Sequence, residues 1–182
     1  MVLAIMTGRK TQTRRFIDPQ PRLNFSDVRL AYGGIKKIPT CPYGQPGDLL
    51  WVREVWAKIY DVFPFDSRSP YHYEYRADSG SKYPGEWPND AGSDPYCPKW
   101  KPSHQMPRQA SRILLKIINV KAERVQDISE KDARAEGVVF SKDHGGGYRV
   151  SFVKLWNYLN KDEHQFPRNP WVWVIEFKVI VS

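Results

Sequence analysis

Lys10 and Thr13 lie three residues apart in the segment Gly8-Arg9-Lys10-Thr11-Gln12-Thr13-Arg14-Arg15. A threonine hydroxyl is a poor nucleophile at neutral pH and needs a neighbouring base, which a lysine amine becomes once its pKa is depressed. The cations of Arg9, Arg14 and Arg15 disfavour a further ammonium and so push Lys10 in that direction, and burial would act in the same sense. The spacing is awkward, because residues three apart face opposite sides of a regular strand. Both side chains reach one site only across a bend, for which Gly8 offers a nearby place. Without such convergence the segment is a solvated basic face.

Glu136 is the second residue whose position is chemically odd. Ser129-Glu130-Lys131-Asp132 reads as a helix cap and Gly137 as the stop of a helix over residues 130 to 136. Glu136 then stands at the end where the helix dipole disfavours an anion. A lysine or arginine from the basic segment would compensate it, and a carboxylate so placed could orient Lys10 or move a proton in amide chemistry. The plain alternative is an ordinary exposed glutamate. Cys41, Cys97 and His104 lack the short spacings of a zinc site. Trp51, Trp56, Trp100, Tyr71, Tyr73 and Tyr75 could stack nucleobases, although most such residues belong to a core. Gly145-Gly146-Gly147 lacks the flanking strand and Lys-Ser/Thr of a phosphate-binding loop and reads as a hinge, so nucleoside triphosphate chemistry is not indicated.

The elements that must position these residues follow from pattern. Residues 2 to 7 read as a helical turn stopped at Gly8. Residues 19 to 46, with five prolines and Gly33-Gly34, read as loop with short extended pieces. Pro46-Gly47-Asp48 marks a turn, and Leu49 to Trp56 after it is expected to be one buried strand. Residues 61 to 109 are proline-rich and irregular, as expected of a long functional loop or insertion, with a strand at Tyr71 to Arg76 inside it. Ile113 to Val125 is a strand by its β-branched content. Val150, Val153, Trp156 and Leu159 lie at helical spacing, and Trp171 to Val181 alternates as a closing strand. Several strands, two or three short helices and few crossovers imply an α+β domain around a small sheet or barrel.

The chain has 182 residues with 28 Lys plus Arg against 20 Asp plus Glu, a formal charge of +8, which favours polyanionic partners such as nucleic acid when the cations cluster. They cluster at residues 9 to 15. One domain suits this length. At 41% hydrophobic and 14% aromatic residues the chain can fill a core, which excludes a disordered tail. No apolar run reaches the roughly 18 residues of a membrane span. The start is apolar first and basic afterwards, the reverse of a secretory signal. Two distant cysteines make no disulfide framework, and the reading is a cytosolic protein.

Gly8 to Arg15, Cys41-Pro42-Tyr43-Gly44 with Pro46-Gly47-Asp48 and Trp51-Val52-Arg53-Glu54, Met106-Pro107-Arg108 with Ala110-Ser111-Arg112, and Trp171 to Phe177 together resemble ASCH-domain proteins of phages and prophages, almost throughout the chain. That family belongs to the PUA-like β-barrels, which implies one small barrel over residues 1 to 182 with short flanking helices, an irregular insertion at about 61 to 109, and a cleft suited to RNA or nucleosides. The Gly-Arg-Lys-Thr-x-Thr segment is similar to that of a small bacterial amidohydrolase removing acetyl from N(4)-acetylcytidine. The resemblance implies a triad of Lys10, Thr13 and Glu136. Lys10 deprotonates Thr13, Thr13 attacks the acyl carbon, and Glu136 handles protons at the leaving nitrogen. Arg9, Arg14, Trp51 and Arg53 are the expected substrate contacts. The scheme needs no metal or cofactor, and the expected partner is a modified cytidine nucleoside or RNA in a bacterial cytoplasm. A non-catalytic RNA-binding module and a ribonuclease are the alternatives. The long 61 to 109 segment departs from the compact enzyme.

Overall fold

A computed structural model of the chain describes residues 1–20, 40–60, 71–79, 82–85, 97–142, 146–160 and 164–181. The elements are α1 (Val2–Met6), β1 (Gln12–Phe16), β2 (Leu49–Trp51), β3 (Trp56–Tyr60), β4 (Tyr71–Tyr75), α2 (Arg76–Ser79), β5 (Leu114–Arg124), α3 (Glu130–Ala135), α4 (Tyr148–Leu159) and β6 (Trp171–Val181). The protein is mixed α+β, with a curled antiparallel half-barrel sheet and few helices. Residues 21–39, most of the expected proline-rich loop, and much of 61–109 lie outside the described residues.

The chain divides into two compact units. The first comprises Leu3–Leu50 and Leu115–Ile180, the second Trp51–Leu114. The larger sheet runs in the order β1-β6-β5-β2. β1 and β6 pair antiparallel from Gln12 opposite Glu176 to Phe16 opposite Val172. Side chains directly opposite one another share a face, so this register sorts the sheet. Val172 and Val174 join Val125, Ile128, Ala133, Phe152 and Trp156 in one core cluster, with Phe16 packed against it. Trp171, Trp173 and Ile175 join Ile17, Cys41 and Ile117 in another. β6 is thus covered on both faces, and Trp171 through Ile175 are all buried. The expected alternation of inside and outside residues is absent there because a strand with two covered faces has no polar side.

Local chemistry explains the helix boundaries. Ser129 and Asp132 form a capping box at the start of α3, each side chain accepting from the other residue's backbone N–H. α3 ends at Gly137, whose φ of +80° is a conformation open to glycine and strained for other residues. α4 buries Phe152 and Trp156 and leaves Leu159 exposed. Of the sequence stripe, Trp156 is buried and Val150 and Val153 are half-buried; Leu159 departs from it, and Phe152, four residues before Trp156 and in ring contact with it, joins the buried face.

The expected single buried strand over Leu49 to Trp56 is also corrected. β2 ends at Trp51 and β3 begins at Trp56, and Leu49 is 55% exposed. The break belongs to the second unit, where Arg112 holds the buried Glu54 carboxylate through two hydrogen bonds of 3.0 and 2.9 Å. A carboxylate anchored inward by a partner 58 residues later outweighs the strand-forming tendency of its neighbours. In the same unit β3 and β4 form an antiparallel ladder from Trp56 opposite Tyr75 to Tyr60 opposite Tyr71. Trp56, Met106 and Ala110 pack together beside Tyr73 and Tyr75.

Candidate functional site

From Arg9 to Arg15 exposure alternates residue by residue. Lys10, Gln12 and Arg14 are buried, Arg9, Thr11 and Arg15 exposed, and Thr13 half-buried. This is the period of an extended chain, and it sends Lys10, Gln12 and Arg14 toward α3 while Thr13 shares the opposite face with its register partner Ile175.

Lys10 and Glu136 meet although they are 126 positions apart in sequence. Their backbones form an isolated antiparallel bridge, and Thr11 N donates to Ala135 O at 2.9 Å. The Lys10 ammonium donates to Glu136 Oε2 at 2.8 Å, to the Glu136 carbonyl at 2.8 Å and to the Gln12 carbonyl at 2.9 Å. Its three protons are all accepted. The other carboxylate oxygen of Glu136 takes Arg14 Nη1 at 3.3 Å. Arg14 also donates twice to Glu123, and Lys121 salt-bridges the second oxygen of Glu123 at 2.8 Å. Asp132 lies 4.0 Å from Arg14 Nη2. Glu136 is the C-cap of its helix, so the two cations answer both its own charge and the carbonyl end of α3.

Burial is the dominant influence on Lys10 and lowers its pKa below 10.5. Glu136 opposes that shift, and the charges of Arg15 and Arg14 add to it. For Asp132, burial favours the neutral acid, yet the Ser129 hydroxyl, the Arg14 charge and the Ser129 N–H together hold its carboxyl below the ordinary value of 3.8. Gly137 fits against this pair: a Cβ there would stand 2.7 Å from Lys10 Cβ and 3.1 Å from Ala4 Cβ. Gln12 is 2% exposed, and its Nε2 has no hydrogen-bond partner among the described residues.

Of the residues singled out by sequence, Lys10, Arg14 and Glu136 come together. Among the described residues no hydrogen bond joins Lys10 to Thr13. Arg14, expected at the substrate, has a side chain with 0% exposure and is engaged by carboxylates. Arg9 is exposed and donates to Thr7 Oγ1 at 3.2 Å. Trp51 and Arg53 belong to the second unit, where the Arg53 guanidinium stacks 4.6 Å from the centre of the Trp51 ring. Sequence reasoning missed Glu123 and Gln12 as members of the buried cluster. Nothing in their spacing marks them, although the even-numbered alternation after Gly8 was available to find Gln12.

A cleft of about 600 Å³ opens on the exposed side of the same segment. It is lined by Thr7, Arg9 and Thr11 from the α1–β1 connection, by Lys131 and Arg134 of α3, and by Phe140 and Tyr148. Compared with known proteins, the chain matches no family model, no curated protein and no solved structure.

Proposed function

We propose that this chain is an amidohydrolase of the PUA-like, ASCH type that acts on N(4)-acylated cytosine nucleosides, with Lys10 and Glu136 as its proton-handling pair and Thr13 as its nucleophile. The observation that supports this reading is the buried Lys10–Glu136 contact at 2.8 Å, in which burial lowers the pKa of an amine that must spend part of its time neutral. In the reaction the Thr13 hydroxyl proton passes to the Lys10 amine while Oγ1 bonds to the acyl carbon. The tetrahedral intermediate collapses by breaking the bond to the exocyclic nitrogen, which receives a proton from the pair. Water then hydrolyses the threonine ester, releasing the carboxylic acid and restoring the hydroxyl. The first step requires the Lys10–Gln12 carbonyl bond to open, since that proton site is occupied at rest, and Thr13, which faces the other side of the strand, to turn toward the amine.

A second reading, a non-catalytic RNA-binding module, is favoured by a different aspect of the same geometry. An ammonium with every proton accepted, on the strand face opposite Thr13, is what a purely structural clasp requires. Incubation with N(4)-acetylcytidine, followed by chromatography of cytidine, separates the two. The enzyme reading expects turnover by the wild type and its loss in Lys10→Ala and in Thr13→Val. The latter keeps a β-branched side chain in β1 and leaves the fold in place. Wild-type turnover no greater than that of Lys10→Ala, together with RNA binding that weakens steeply with salt, establishes the module instead.

A further inference from the structure

Three cations converge on the cleft beside α3: Arg9, Lys131 and Arg134. Among the described residues no acidic side chain lines it. Among the described residues none of the three cations has a carboxylate partner. The acidic side chains nearest in sequence are committed elsewhere. Both oxygens of Glu130 accept from the first N–H groups of α4, at 2.8 Å from Tyr148 N and 3.3 Å from Arg149 N. Asp132 is held by Ser129 and faces Arg14. Like charges gathered around a concavity without a counter-charge raise the local concentration of anions.

The cleft is more than a charged patch. Phe140 is 52% exposed and Val139 72% exposed at its edge, although their apolar surface gains nothing from water. Phe140 and Tyr148 meet edge to face with centroids 5.4 Å apart, and the Arg134 guanidinium lies 5.9 Å from the Tyr148 ring centre. Exposed Thr11 adds a hydroxyl. Aromatic faces beside guanidinium and ammonium groups suit a planar ring joined to an anion, and the volume is that of a small-molecule site.

We propose that this cleft binds a phosphorylated nucleoside, the phosphate held by Arg9, Lys131 and Arg134 and the base stacked on Phe140, the more exposed of the two rings. The site stands on the cleft alone and does not need Lys10 to be catalytic. Its position has a bearing on the amide chemistry nonetheless: Arg9 and Thr11 flank Lys10 in sequence and Ala135 precedes Glu136, so the cleft and the buried pair share two backbone segments.

The test is calorimetric titration of the full chain with each of the four ribonucleoside 5′-monophosphates, with the matching nucleosides, with inorganic phosphate and with a single-stranded hexaribonucleotide. At least one monophosphate or the hexamer is expected to bind, with the matching nucleosides about tenfold or more weaker. Lys131→Ala combined with Arg134→Ala should weaken the phosphorylated ligands about tenfold or more and flatten their salt dependence. Phe140→Ala should weaken the nucleotide about tenfold while leaving inorganic phosphate unchanged. All three positions are exposed, and an unchanged thermal transition confirms that the variants fold. Binding of the hexamer alone, lost in the same variants, assigns the phosphorylated base to a strand, and binding of a monophosphate assigns it to a free nucleotide. Nucleosides binding as well as their phosphates, affinities untouched by the substitutions, or no binding in any arm overturns the proposal.

Discussion

Replacing Glu136 by alanine removes the acceptor of the Lys10 bond at 2.8 Å and of the Arg14 bond at 3.3 Å. Both donors are buried, so the loss is not diluted by solvent. Arg14 keeps Glu123, whereas Lys10 keeps only two backbone carbonyls and becomes a buried cation without a counter-charge. Removing one member of such a pair costs about 3–5 kcal/mol, which for a chain of this size lowers the midpoint by roughly 6–20 °C. Lys10→Met should cost less, about 2–3 kcal/mol, because Glu136 retains Arg14. The double variant Lys10→Met/Glu136→Leu should lose less than the sum, with a coupling of about 1–3 kcal/mol. Urea unfolding followed by tryptophan fluorescence measures all four species. The losses should be nearly the same at about 50 and 500 mM salt, since buried charges are weakly screened. Single losses below about 1 kcal/mol, or a strictly additive double variant, would refute the buried-pair account.

Other outcomes follow from neighbouring features. Gly137→Ala places a Cβ 2.7 Å from Lys10 Cβ in a left-handed backbone and should cost about 2–3 kcal/mol in the same unfolding experiment. Ser129→Ala removes the capping hydroxyl and should cost about 1 kcal/mol. The stabilisation from Asp132 is present above 3.8 and lost as pH falls through its lower folded value, so losing Ser129 should move acid unfolding to higher pH by circular dichroism. Lys10 has a folded pKa below 10.5, so between the two values the unfolded chain binds more protons and the contribution of Lys10 to stability rises with pH. Lys10→Met should flatten that alkaline rise. Phe152→Ala empties the helix-covered cluster and should cost about 3–5 kcal/mol.

Glu136 was legible in the sequence because its demand is local: an acid in the last turn before a glycine stop needs a cation, and the basic segment holds several. The cap at Ser129 and the strands after Pro70, Ile113 and Pro170 were equally local. What stayed hidden depends on partners distant in the chain. Glu54 breaks a run of strand formers because Arg112 holds it, and Arg14 turns inward because Glu123 and Glu136 both receive it. The face buried by α4 was legible in part: of the four apolar residues at helical spacing Leu159 is exposed, and Phe152, outside that stripe, is buried beside Trp156. Thr13 carries the same lesson in reverse. Alternation along the strand, noted as a difficulty from spacing alone, is what the backbone adopts from residue 9 onward.

The path of the chain through the half-barrel has a consequence for how this protein can change. Trp51–Leu114 departs at β2 and returns at β5, which are neighbours in the sheet, and Val52 N donates to Ile113 O at 3.0 Å where the two ends pass. An excursion whose entry and exit are already side by side can be shortened, exchanged or grafted elsewhere with little change in closure entropy. Lineages could therefore vary that module freely while the strand register beneath Lys10 and Glu136 stays as it is.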